Sequence, residues 1–273
     1  MGVVKKAKWA AVAVNGAAER ATRRLMCCGV FVFALGASDG VCFAQQSEDI
    51  TPALPITERV EVNSYKGIDL RSYAQLQKGL KVYQEKLQLA PNSQLYFILI
   101  PKKQETKLDG LTMRLASDEV STPVKVDEFG RFQLPMLELK SEDEYDLILN
   151  RQKGQFFIRP YVKTQGLADD DKRMGDLRLE CQVRWAIERQ DVSFVFKSYV
   201  SMFASGNPCE SRTVEVQFYA PPQIRTLSLQ HQGQVRYFAV AKDRRFSVPL
   251  WDNKIADDAL LHYVLNTSAE SSH

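Results

Sequence analysis

Histidine and tryptophan are scarce in this chain, three of each among 273 residues, and cysteine occurs five times. His231 sits in the turn-like LQHQGQ, His262 in an apolar β context, and His273 is the last residue. None adjoins a nucleophile motif such as G-x-S-x-G, so no Ser–His or Cys–His constellation is visible. Gly166, Gly175 and Gly206 stand alone, which excludes a phosphate-cradling loop. The acidic runs Asp169–Asp171 and Asp257–Asp258 lack the loop glycine and distal bidentate acid of a calcium site. Nothing singles out an acid pair for glycoside hydrolysis. The sequence therefore predicts a non-catalytic chain with no metal and no cofactor.

What is present begins with an export signal. Lys5, Lys6, Lys8, Arg20, Arg23 and Arg24 precede an apolar run from Leu25 to Ala37, and Cys42 and Ala44 supply the small residues of a cleavage site. Residues 1–44 are read as a signal peptide cut between Ala44 and Gln45. Thr22-Arg23-Arg24-Leu25-Met26-Cys27 also has a twin-arginine look, so the ordinary and the twin-arginine export routes both stay open. The apolar run is shorter than the roughly 20 residues of a membrane helix, and no such run follows it. The whole chain carries 36 basic and 33 acidic residues. Without the signal's six basic and two acidic residues, 30 remain against 31, so the basic balance of the whole chain belongs to the signal and does not point to nucleic acid. The expected location is outside the cytoplasm: a bacterial periplasm, or secreted.

Cleavage removes Cys27, Cys28 and Cys42, leaving Cys181 and Cys209 in an oxidising compartment. An even pair there predicts a disulfide.

In the mature part, residues 45–68 form a polar, proline-bearing lead-in. Leu70, Tyr73, Leu76, Leu80, Tyr83 and Leu87 recur at steps of three and four, predicting an amphipathic helix over Leu70–Leu89 with Asp69 as N-cap. The period then switches, and Leu95–Ile100 is a β-rich apolar run ending at Pro101. Strand candidates are 95–100, 111–115, 123–126, 132–134, 145–149 and 156–162, separated by Asp109-Gly110, Glu128-Phe129-Gly130 and Lys153-Gly154. Such spacing suggests a sandwich. Residues 176–189 fit both a helix and a strand, and composition tilts them to helix. Asp191 would cap a second helix on which Val192, Phe196, Tyr199 and Phe203 share a face, closed by Gly206. Five further strand candidates follow, at 214–218, 224–229, 235–240, 245–248 and 260–265.

The β segments look repeated. Residues 124–150 (VKVDEFGRFQLPMLELKSEDEYDLILN) run parallel to 238–266 (FAVAKDRRFSVPLWDNKIADDALLHYVLN), matching Phe132 to Phe246, Pro135 to Pro249, Met136 to Leu250 and Asn150 to Asn266. The stretch Val126–Pro135, with Tyr145-Asp146-Leu147-Ile148 after it, resembles the strand-turn-strand of carboxypeptidase-regulatory or transthyretin-like β-sandwich domains. The resemblance covers about 40 residues and implies an accessory fold without a site. The second copy departs from it, with Asp243-Arg244-Arg245 and no glycine.

The expected architecture is mainly β with α elements: two small β-sandwich units flanking a disulfide-tied helical hairpin, plus one N-terminal amphipathic helix. Residues 69–163 hold the helix and first unit, 164–210 the hairpin, 211–268 the second unit and 269–273 a tail. The expected role is an interaction module for another envelope protein. The alternative is binding of a glycan or other small ligand at Trp251-Asp252-Asn253, where a loop tryptophan beside polar side chains suits ring stacking.

Overall fold

Alternation along Ser93–Pro101 turns Leu95, Phe97 and Leu99 to one side, where all three are buried, and Leu147 and Leu149 do the same across Asp146–Gln152. The computed structural model describes residues 7–9, 67–138 and 144–265. The cleavage point Ala44–Gln45, most of the lead-in and the tail lie outside the described residues.

In chain order the elements are β1 (Ala7–Trp9), β2 (Ile68–Ser72), α1 (Tyr73–Glu85), a 3-10 turn (Leu87–Leu89), β3 (Ser93–Pro101), β4 (Met113–Ala116), β5 (Ser121–Val124), β6 (Arg131–Phe132), β7 (Asp146–Gln152) and β8 (Phe156–Thr164). Then come β9 (Asp171–Arg173), α2 (Met174–Glu188), α3 (Phe194–Phe203) and a second 3-10 turn (Pro208–Glu210). The chain continues through β10 (Val214–Val216), β11 (Phe218–Tyr219), β12 (Ile224–His231), β13 (Gln234–Ala239), β14 (Arg245–Phe246) and β15 (Leu260–Leu265). The fold is mainly β with three α-helices among the described residues. β1, inside the expected signal, pairs in parallel with β10.

In the first β unit an antiparallel sheet of order β2-β7-β4-β5 and another of order β6-β3-β8 enclose one core with α1. In the second, β9-β15-β12-β13 form one sheet and β11-β14 a two-stranded ribbon. The pairing scheme is the same: a strand leading into a helix (β2, β9) lies beside β7 or β15, which pairs with β4 or β12, then β5 or β13. Phe97 opposes Phe132 and Phe218 opposes Phe246, with ring centroids 5.7 and 5.6 Å apart. The turns before β6 and β14 also share a bonding pattern. Asp127 N–H donates to Arg131 and Gly130 N–H to Asp127, as Ala241 N–H does to Arg245 and Arg244 N–H to Ala241.

Residues 174–188 are helical, and their double periodicity has a physical reason. Leu177, Cys181 and Trp185 pack on the second core, while Leu179, Val183 and Ile187 pack on the first. One helix serving two cores carries apolar residues on two faces, and the interleaved faces mimic strand alternation. Cys181 on α2 is bonded to Cys209 after α3, with Cα atoms 5.7 Å apart, so the helical hairpin is tied as its cysteines predicted.

Three local expectations are corrected. The first helix begins at Tyr73, because Ile68–Ser72 pairs with β7. Asp69 is therefore a buried strand residue beside Arg71 and not an N-cap. The first-turn donor at Tyr73 goes instead to the Tyr145 carbonyl, 2.8 Å away. The cap of α3 is Ser193, whose hydroxyl accepts from Phe196 N–H at 3.3 Å, so Asp191 and buried Val192 precede the helix.

Two tests follow from α2. At Gly175 an added Cβ would lie 1.9 Å from the Leu89 carbonyl oxygen. Alanine in a helix is worth about 1 kcal/mol over glycine, but here a backbone clash opposes it. Gly175→Ala is expected to lose about 2 kcal/mol in urea unfolding. Replacing both Cys181 and Cys209 by alanine should cost about 3.5 kcal/mol in the same assay, the chain-entropy value for this 28-residue separation.

Candidate functional site

Because α2 is buried on two faces, its polar side chains meet their partners inside the protein. Glu188 accepts from Arg159 Nη1 through Oε1 and from Arg184 Nε, 3.0 Å away, through Oε2. Glu180 pairs with Lys172 and accepts the backbone N–H of Val162 at 2.8 Å. Asp176 accepts from the Thr164 hydroxyl at 2.7 Å and from Arg173 N–H at 3.0 Å. β8 supplies Arg159 and β9 supplies Lys172, so the network spans both β units. Charges this deep persist only when paired.

Within this network the hydrogen bonding is incomplete at Arg159. Arg159 is 7% exposed, its Nη1 is engaged by Glu188 and the Ile158 carbonyl, yet Nε and Nη2 have no hydrogen-bond partner among the described residues. Burial pulls the Arg159 guanidinium down to about 10, with Glu188 opposing the fall. Lys172 is raised, because Glu180 outweighs the cost of its burial.

Arg159, Lys172, Glu180 and Arg184 border a cleft of about 530 Å³ between the two β units. Equivalent strand ends face it from each side, Ile98–Pro101 after the Phe97 pair and Tyr219–Pro222 after the Phe218 pair. Arg244 also borders it. This arginine adopts a left-handed backbone, φ 68°, at the turn position where the first unit has Gly130, φ 79°. A side chain other than glycine, asparagine or aspartate rarely holds that conformation, which costs of order 1–3 kcal/mol.

Of the residues singled out from sequence, Trp251, Asp252 and Asn253 lie in a loop fixed from α2. Arg178 donates to the Leu250, Asp252 and Ile255 carbonyls at 2.9–3.0 Å and pairs with Asp257. Arg212 stacks on the half-buried indole of Trp251, 4.2 Å from the ring centroid. His231 Nε2 accepts from Ala256 N–H at 3.2 Å. His262 is brought to the acidic run by the β15–β9 register. Its Nδ1 lies 2.7 Å from Asp171 and 3.7 Å from Asp170, and the three ligand atoms fall within 4.8 Å of one another. That clustering was invisible in sequence, since 91 residues separate Asp171 from His262.

A second surface is apolar. Phe194, Val195, Met202 and Phe203 of α3 are 82%, 78%, 74% and 54% exposed. The helix is nonetheless held firmly, by the disulfide, by Phe196 set edge-on to Trp185, and by the Tyr199 hydroxyl donating to the Thr213 carbonyl at 3.3 Å. No described helix is long and apolar enough to cross a membrane. No protein-family model, curated protein or solved structure matches the chain.

Glu188→Ala would leave two buried guanidinium groups without their shared acceptor. We expect it to cost about 3–5 kcal/mol in urea unfolding, far above the 1 kcal/mol or less of an exposed ion pair.

Proposed function

We propose that the chain is a non-catalytic exported interaction module, of the periplasm or envelope, which holds a protein partner on the outer face of α3. The observation that carries this reading is the rigid, exposed apolar strip of Phe194, Val195, Met202 and Phe203. A monomer has no use for so many uncovered aromatic and Met side chains on one short helix, and these residue types are enriched at protein interfaces. The spacing from Val195 to Met202 is seven residues, one helical face, as in a helix received by an apolar groove. Lys197 is the sole charged residue of the helix, and its ammonium is bound to the Gln190 carbonyl at 2.7 Å. A helix that lies on a bilayer carries a basic polar face, which α3 lacks, so a protein groove fits better. β13 adds an open edge: among the described residues it pairs with β12 alone, and Val235 and Tyr237 are exposed.

The shared strand pairings and turn bonds support the further reading that the two β units are copies of one strand–helix–sandwich ancestor. The alternative site at Trp251 has less support, because Arg212 already occupies a ring face that a sugar would use.

The test is a photo-cross-linker at Met202 in the full chain, exported in its native envelope. The expected result is one dominant protein adduct that fades with Phe194→Ser while the unfolding midpoint holds. A well-packed aromatic anchor should cost about 2 kcal/mol of binding when truncated. Adducts to lipid, to a second copy of the chain, or to nothing would each overturn the proposal.

A further inference from the structure

We propose that His262, Asp170 and Asp171 together bind a divalent transition-metal ion, zinc or a first-row neighbour. The three side chains come from two segments that the sheet brings side by side. β15 pairs with β9 so that His262 stands directly opposite Asp171, and the Tyr263 N–H donates to the Asp170 carbonyl at 2.8 Å. The main chain therefore gathers the three residues before any ion arrives. His262 Nδ1 lies 2.7 Å from the Asp171 carboxylate and 3.7 Å from that of Asp170, and all three ligand atoms fall within 4.8 Å of one another. Zinc holds nitrogen and oxygen ligands at about 2.1 Å, which sets tetrahedral neighbours about 3.4 Å apart. No pair has to shift by more than about 1.4 Å to reach that spacing.

The charge at this place also calls for a cation. Among the described residues neither carboxylate has a lysine or arginine ion-pair partner, and the imidazole answers both. Lys163 of β8 reaches the same loop, but its ammonium is bound to the main-chain carbonyls of Ala168 and Asp171. Asp169, exposed beside them, adds a further negative charge. Two carboxylates and a neutral imidazole sum to minus two. A protonated imidazole cancels one of those charges, whereas a divalent ion cancels both.

The donor set selects the metal. Calcium and magnesium take oxygen ligands, whereas an imidazole beside carboxylates suits zinc and its first-row neighbours. The calcium-loop spacing that the acidic run lacks is not needed here, because the third ligand comes from a different strand. Nδ1 ligates a metal in the neutral tautomer with its proton on Nε2, so the ion replaces the bond from Nδ1 to Asp171 and takes both groups as ligands. His262 and Asp170 are partly exposed, which leaves the remaining coordination positions to water. Asp170 also borders the cleft, so the site stands at the cleft's edge. It uses no residue of α3 and is independent of the partner surface.

The experiment is calorimetric titration of the full chain with zinc chloride and, separately, calcium chloride. The chain is first stripped of metal, and Cys27, Cys28 and Cys42 are alkylated so that their thiols take no zinc. Zinc should fill one site that calcium does not, and should raise the unfolding midpoint, as a ligand of the folded state does. His262→Gln and Asp170→Asn should each weaken that site about tenfold or more, since losing even a group that supports a ligand costs that much. Their midpoints without zinc should hold. Cobalt in place of zinc should give visible absorption bands that His262→Gln removes, a signature that a merely structural histidine would not give. Absence of a zinc site, a site equally strong in both variants, or calcium bound as tightly as zinc would overturn the proposal.

Discussion

The burial of α2 on two faces governs the rest of the molecule. A helix in that position must offer apolar residues in two directions, and it does so with Leu177, Cys181 and Trp185 on one side and Leu179, Val183 and Ile187 on the other. Whatever polar side chains it keeps must be answered from neighbouring strands, which is why Arg159 of β8 and Lys172 of β9 are buried and paired. Close approach is the third demand. Gly79 of α1, where a Cβ would meet Ile187 at 2.6 Å, and Gly175 lie where a side chain would not fit.

Much of this was legible in the sequence. Every strand expected from β-rich runs and turn residues occurs at least in part, because such runs and their bounding turns are local signals, although β5 and β13 are largely exposed. The cysteine pair was equally readable: once the three cysteines of the expected signal are set aside, two thiols leave one partner choice. The helix boundaries read less well. Asp69 and Asp191 have the chemistry of caps, but Asp69 is recruited into β2 by pairing with β7, and Ser193 stands two residues closer to its helix than Asp191. Capping chemistry alone does not register a tertiary strand.

The cleft was not legible, and the reason is topological. Its charged lining comes from β6 and the turn before it, β8, the acidic run that leads into β9, β9 itself, α2 and the turn at residue 244, which no local motif joins. Sequence reasoning weighed Trp251 because an aromatic beside Asp and Asn is a local pattern. It passed over Arg159, because an arginine in a β-rich run resembles any surface position. The one available signal was Arg244, a bulky residue at the turn position that aligns with Gly130.

A helix that completes two cores also sets the order in which the chain can mature. The first β unit and α1 are made before Leu179, Val183 and Ile187, so one side of its core stays open until residues beyond 187 have emerged. The first half is then not a self-sufficient fragment, since its core includes residues of α2. The first core closes only once α2 has been made, and the bridge from Cys181 to Cys209 and the second core wait for the residues that follow it.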